Sequence, residues 1–321
     1  MQSPPHIVAD IGGTNARFAC VSSADSVLRQ VKIFPCADFP FLLEAINTYI
    51  TGLDTNSVAS ICLAVAGPVD SDPIDLPNNH WTFSRTELEQ ALGVPVEIIN
   101  DFSAQVLSID TLQDSELRWL GSARPLGNGV TAVIGPGTGL GVSALLPSGE
   151  ILPSEAGHIG FASVDQHQSD LLEVLRKRYR RVSVERVLSG QGLANLYWAN
   201  CNLQDQCREL PAAEVNAGAQ ANDPLCRKAV DDFLAILAAF AGDVALMTGA
   251  SQGVYLSGGI LPKMLDFLDE EVFLANFCAK GRFHDFNAGI PLAIVLAEQP
   301  GLRGCARALG LQTGRTSNIL I

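Results

Sequence analysis

The sequence predicts an α/β fold in two related halves, and three observations predict it. Short β-branched runs alternate with longer stretches of helical apolar spacing. The 321 residues suffice for about two domains. Residues 130–146 loosely repeat the plan of residues 8–21, an apolar strand, a turn containing Gly-Thr, and a strand continuing the hairpin. The echo is inexact, because the spacing differs by one residue and only the first copy carries an aspartate.

Residues 6–10 read as a strand, and after a glycine turn residues 17–21 read as a second. Residues 58–64 and 94–99 are apolar and β-branched, each a buried strand. Between them Ser84-Arg85-Thr86-Glu87 forms a capping box, and Gly93 closes that helix about two turns later. Residues 121–129 are turn-rich without apolar periodicity and mark the handover to the second half. Strands at 130–134 and 141–146 then flank Gly135-Pro136-Gly137-Thr138-Gly139. Around 171–181 the spacing predicts an amphipathic helix, with Arg176, Lys177, Arg178, Arg180 and Arg181 on a solvated face. Apolar residues at 230, 233, 234, 237, 238, 241, 244 and 245 predict a buried helix over 225–248. A strand at 254–257 follows, and Gly258-Gly259 opens a further helix.

Hydrophobic residues make up 47% of the chain and charged residues 17%, which supplies a large core and excludes the disordered class. No apolar run approaches the roughly 18 residues of a membrane span, and no basic-then-apolar segment opens the chain. The expectation is a cytoplasmic protein without a membrane partner. A net charge of −13 argues against nucleic acid and anionic membranes as partners. Eight cysteines, none in a CxxC pair, predict buried reduced thiols and neither a zinc site nor a disulfide framework.

The common phosphate and nucleophile motifs fail letter by letter. There is no Gly-Lys pair for a P-loop, and Leu140 stands where the dinucleotide motif beginning at Gly135 needs glycine. Gly249-Ala250-Ser251-Gln252-Gly253 matches the serine-hydrolase pattern, but that elbow needs a strand before the serine and a helix after it. The predicted order here is the reverse. Three glycine segments remain, each at the end of an apolar strand. Asp10-Ile11-Gly12-Gly13-Thr14-Asn15 sets a carboxylate beside a tight turn rich in donors, the arrangement that holds phosphate and a hydrated Mg²⁺. Gly135–Gly141 offers a second such turn, although Pro136 has no N–H. Ser257-Gly258-Gly259 suits a backbone passing close to a flat adenine ring.

With these segments in place the chain resembles the bacterial glucokinases of the hexokinase-type, actin-like ATPase fold. The resemblance runs from about residue 6 to 310. It rests on Asp10-Ile-Gly-Gly-Thr-Asn-Ala-Arg17, Asn78-Asn-His-Trp81, Ile98-Ile-Asn-Asp-Phe102, Gly135-Pro-Gly-Thr-Gly-Leu-Gly141, Glu155-Ala-Gly-His158, Val184-Glu-Arg-Val-Leu-Ser-Gly190 and Leu256-Ser-Gly-Gly259. It implies two actin-like (ribonuclease H-like) domains around a central cleft. The small domain would span 1–110, completed by a C-terminal helix at 303–321, and the large domain 111–302.

The resemblance also implies function. ATP with Mg²⁺ would be held by Ala9, Asp10, Ile11, Gly12, Gly13, Thr14, Gly137, Thr138, Gly258 and Gly259, with Asp10 on the metal. Asp101, which follows an asparagine at a strand end, would be the general base that takes the proton of the 6-hydroxyl of D-glucose. Asn100, Glu155, His158 and Glu185 would bind the sugar hydroxyls beside it, and the assembly would be a homodimer. Each residue also has a plainer reading. The pair at 100–101 could only cap the next helix, Glu155 a turn, His158 could be a core histidine, and Glu185 could pair with Arg186. Asn78 is a weaker sugar candidate, and Trp81 reads as core. Ser154 and Ala156 stand where the family often has glycine, so the turn at Glu155 should differ locally. No cysteine cluster of the zinc-bearing relatives follows His158. Two other readings are a kinase for another hexose and a sugar-sensing relative without turnover, the latter lacking any basic helix-turn-helix segment here.

Overall fold

In the computed structural model, which describes residues 3–311 except 26, 54 and 56, the first apolar run forms strand β1 (His6–Ile11). Strands β2 (Asn15–Val21) and β3 (Leu28–Pro35) follow, then helix α1 (Leu42–Thr51) and strand β4 (Ile61–Val65). A short hairpin, β5 (Ile74–Asp75) and β6 (Thr82–Phe83), leads to α2 (Arg85–Leu92), β7 (Val96–Asn100) and α3 (Asp101–Ser108). The sheet order is β3-β2-β1-β4-β7, with β1 antiparallel to β2 and parallel to β4.

A second sheet begins with β8 (Leu117–Leu120), followed by β9 (Thr131–Pro136), β10 (Leu140–Leu145) and β11 (Ile151–Ser154). Helices α4 (Gln166–Arg176), α5 (Gly190–Leu203), α6 (Ala212–Gln220) and α7 (Pro224–Thr248) come next. Strand β12 (Gly253–Leu256), helices α8 (Glu270–Cys278) and α9 (His284–Ala288), and strand β13 (Leu292–Val295) complete this unit. Its sheet order is β11-β10-β9-β12-β13-β8. Here β9 is antiparallel to β10 and parallel to β12, so the plan of the first sheet recurs, with β8 added at one edge. The loose echo of residues 8–21 in 130–146 is therefore a repeated hairpin. Helix α10 (Pro300–Ala308) returns to the first sheet, and the chain divides into one unit of residues 3–113 with 297–311 and another of 114–296.

Burial follows the strand period of two. Ile7, Ala9 and Ile11 of β1 join a core with Leu42, Ile46 and Tyr49 on one face of the first sheet. Val8, on the opposite face, packs with Ala104 of α3 and Leu302, Cys305 and Ala306 of α10. In the second unit α7 is the central helix, capped by Asp223 at its start and by left-handed Gly249 at its end. Its Phe233, Leu237 and Ala241 have no exposed surface.

Several boundaries depart from expectation. The helix expected over 171–181 begins at Gln166, where Asp165 accepts the Gln168 N–H, and ends at Arg176. Arg178, Arg180 and Arg181 lie past it, and Arg178 instead stacks over Trp198 at 3.8 Å. The segment after Gly258-Gly259 is a 3-10 helix, Leu261–Phe267, which packs Leu261 and Met264 into the core. The closing helix starts at Pro300 and ends at Ala308 before left-handed Gly310, and positions 312–321 of the expected helix lie outside the described residues. Among the described residues no helix is long and apolar enough to cross a membrane.

Candidate active site

In the first unit, the end of β1 delivers Asp10 to a turn in which the Gly12 N–H bonds the Asn15 carbonyl at 3.0 Å. Gly13 and Thr14 are exposed, and their N–H groups take no acceptor among the described residues. Such donors at a glycine turn are what a phosphate oxygen needs. Ala9 and Ile11, expected to touch the nucleotide, have no exposed surface. They supply the strand that aims the turn, because alternate β1 residues point into the core.

Asp10 lies on the face of β1 that receives α10, with its carboxyl carbon 3.4 Å from where a side chain on Gly301 would begin. Its side chain keeps 22% of its surface, and Arg17 on the paired strand stands 3.7 Å away. Burial pushes the Asp10 carboxyl above the ordinary value of 3.8, and the Arg17 charge pulls it back only in part. A carboxyl with a raised value in the fold holds its proton more tightly than the unfolded chain does. Its contribution is complete at acid pH and is lost as the pH rises through the raised value, so the ionised form costs stability. Asp10→Asn is therefore expected to raise the thermal midpoint of the ligand-free protein in magnesium-free buffer at about pH 8, with the gain shrinking toward about pH 4. A variant no more stable than the parent at the higher pH would mean that Arg17 outweighs burial.

At the end of β7 the polar pair divides its labour. Asn100 is the N-cap of α3, its Oδ1 accepting the Phe102 N–H at 2.9 Å and the Ser103 N–H at 3.3 Å. Its Nδ2 donates to the Gly67 carbonyl at 3.2 Å, and the second amide hydrogen has no acceptor among the described residues. Asp101 is the first helical residue, with Oδ1 accepting its neighbour Phe102's N–H at 3.0 Å. The capping alternative thus falls to Asn100, and Asp101 presents a half-buried carboxylate at the helix N-terminus, where negative charge is favoured.

In the second unit the sugar candidates stand together. His158 places Nε2 3.9 Å from Glu155 Oε2 and Nδ1 4.0 Å from Glu185 Oε1. With 60% of its side chain exposed, His158 is not a core histidine. Glu155 makes no side-chain cap. The turn there is shaped by Ser154, whose hydroxyl accepts the Ala156 N–H at 3.0 Å, a contact glycine cannot make. Glu185 does not pair with Arg186, which lies over the Tyr179 ring at 4.5 Å. Its Oε2 accepts the Leu140 N–H at 2.9 Å, tying it to the second glycine turn.

That turn is fixed from several sides. The Gly137 N–H bonds the Gly139 carbonyl at 2.8 Å, and the Gly137 carbonyl accepts the Gly190 N–H at 2.9 Å. Gly137 therefore spends its polar groups on the fold, while Thr138 and Gly139 keep N–H groups without acceptors among the described residues. A side chain on Gly139 would begin 2.6 Å from Glu185 Oε2, and one on Gly157 2.1 Å from the Leu140 carbonyl. Gly258, at φ +97°, approaches the Pro136 carbonyl so closely that a side chain would begin 2.6 Å away, whereas Gly259 faces open space. These contacts around Leu140 were not readable in the sequence. Only the glycines signalled them, and a glycine does not say which backbone it meets. Ser251 of the hydrolase-like pentapeptide lies between helix α7 and strand β12, which removes that reading.

Known proteins resemble this chain over nearly its whole length. The family model described as Glucokinase matches residues 7–312. A glucokinase of Chromohalobacter salexigens is 44% identical over 310 residues, covering 95% of this chain and 97% of that protein. The crystal structure of a glucokinase from an Antarctic psychrotroph superposes with a TM-score of 0.88 at 35% identity, over 97% of this chain and all of that one. At 19% identity and a TM-score of 0.62, a ROK-family glucokinase from Streptomyces griseus, solved with glucose and AMPPNP, shares the fold over 95% of this chain and 98% of its own.

Proposed function

The chain belongs to the glucokinase family, and from that premise we propose how its own residues carry the γ-phosphoryl group of ATP to the 6-hydroxyl of D-glucose. The observation that carries the reading is the pair at 100–101. Asn100 is the N-cap of α3, and Asp101, the first helical residue, carries its carboxylate at the carboxyl end of β7, where it can act on substrate. A sugar hydroxyl is a poor nucleophile, and a carboxylate in hydrogen-bond reach orients it and takes its proton. The oxygen bonds to the γ-phosphorus as the bond to the β-phosphate oxygen breaks, ADP leaves, and the proton rests on Asp101.

The remaining residues position the reactants. Glu155, His158 and Glu185 supply charged and bifunctional partners for vicinal hydroxyls, with the spare Asn100 amide hydrogen. Gly13, Thr14, Thr138 and Gly139 offer N–H groups to phosphate, and Gly258-Gly259 offers backbone to the adenine. Among the described residues no three His, Cys, Asp or Glu side chains could hold a metal by themselves. Asp10 alone fits Mg²⁺, which accepts one carboxylate with waters and substrate phosphates completing its shell. When bound, it would neutralise phosphate charge. A homodimer and a cytoplasmic location belong to the same reading, supported by the family resemblance.

A panel of hexoses in a coupled ADP-release assay tests the proposal. Glucose is expected to give the highest kcat/KM. A faster sugar would make this a kinase for that hexose, and no ADP with any sugar would make it a sensor without turnover.

A further inference from the structure

Asn79 lies in the chain between β5 and β6, and its Nδ2 donates to the Gly12 carbonyl at 3.0 Å. Its Oδ1 accepts the Trp81 N–H at 3.2 Å, and its own N–H bonds the Leu76 carbonyl at 3.1 Å. Trp81, with 1% of its surface exposed, anchors this segment in the core and donates Nε1–H to the Phe39 carbonyl at 2.9 Å. Asn79 is thus a donor held on a rigid base. Cys36 Sγ approaches the same Gly12 carbonyl at 3.7 Å, a weaker contact from the other side.

The Gly12–Gly13 peptide is planar and trans, so its carbonyl and its N–H point in opposite directions. Holding the Gly12 carbonyl against Asn79 therefore aims the Gly13 N–H away from Asn79, and that N–H has no acceptor among the described residues. Glycine is conformationally free, so without such a hold the peptide can rotate. Packing reinforces the hold, since a side chain on Gly13 would begin 2.7 Å from the Asn78 carbonyl. Asn78 thus contributes its backbone here.

We propose that Asn79 is a positioning residue that locks the Gly12–Gly13 peptide in the orientation that presents the Gly13 N–H to a nucleotide phosphate. The proposal rests on the kinase reading above. It gives Asn79 a role in nucleotide affinity and none in sugar affinity.

Two substitutions in the full chain test it, with KM for ATP, KM for glucose, kcat and thermal midpoint measured for each. Asn79→Asp keeps the shape and the acceptor for Trp81, and replaces the donor facing Gly12 with a carboxylate oxygen. Asn79→Ala removes both bonds. A lost bond to a fixed carbonyl is expected to raise KM for ATP on the order of ten-fold, with KM for glucose unchanged. The aspartate, which repels the carbonyl, should be the more damaging of the two. A merely structural role predicts the reverse order, because the near-isosteric change should be the milder. Unchanged KM for ATP in both variants, equal rises for both substrates, or a milder effect of aspartate would each overturn the proposal while leaving the kinase reading intact. If aspartate prevents folding, a selective rise with alanine supports the proposal and its absence overturns it. A parent protein that yields no ADP with glucose overturns the kinase reading and this proposal with it.

Discussion

Asp101→Ala is expected to lower kcat by about 10²- to 10⁴-fold, the range a positioned general base supplies, while the fold and ATP binding survive. The structure gives reasons for both halves. The proposed base is lost because alanine removes the carboxylate at the first position of α3. The fold survives because the Phe102 N–H that Asp101 shares is also held by Asn100, at 2.9 Å. Asp101→Asn should behave similarly in kcat, since an amide keeps the shape but accepts no proton. Steady-state kinetics, nucleotide titration and a thermal melt on the same samples check this. A variant retaining more than about a tenth of the parent kcat would remove Asp101 from the role.

Gly304→Ala should be the most damaging single methyl in the first unit. Helices α3 and α10 cross where a side chain on Gly304 would begin 1.8 Å from the Ala104 carbonyl oxygen and 2.5 Å from its carbon. Those atoms are backbone, so no rotamer change relieves the clash and the helices must move apart. Overpacking of this kind costs about 3 kcal/mol, at the upper end of the usual range. Helix α3 begins at Asp101, so a shifted helix also moves the proposed base, and kcat should fall together with stability. Denaturant unfolding and kcat together read the outcome. A variant with an unchanged unfolding midpoint would show that the crossing tolerates separation.

How much of this was legible in the sequence differs by element. Helix α7 was open to reading because Asp223-Pro224 starts it, Gly249 ends it, and its apolar positions are nearly continuous. Strand β3 was not, because it is a largely exposed strand whose Arg29, Gln30 and Lys32 carry no apolar run, with Gln30 at φ 51° breaking the alternation. The early start of α4 had a signal in Asp165 followed three residues later by Gln168, a capping pattern masked by the stronger apolar run after it. At the site, Asp10, Asn100 and Asp101 stood out because polar groups end buried strands there. The gathering of Glu155, His158 and Glu185 was not readable from spacing, because the bond from Leu140 to Glu185 joins residues 45 apart in sequence. The roles of those three residues came from the family resemblance. Ala9 and Ile11 show the opposite failure, since a motif carried whole into a ligand site includes residues that only build its strand.

Transfer of phosphate to the sugar is read by incubating the parent protein with ATP and glucose and quantifying ADP and glucose 6-phosphate in one sample. Equal amounts of the two products are expected, with only background ADP when glucose is replaced by 6-deoxyglucose, which lacks the accepting hydroxyl. ADP formed without sugar phosphate, or phosphate found on another hydroxyl, would contradict transfer to the 6-hydroxyl.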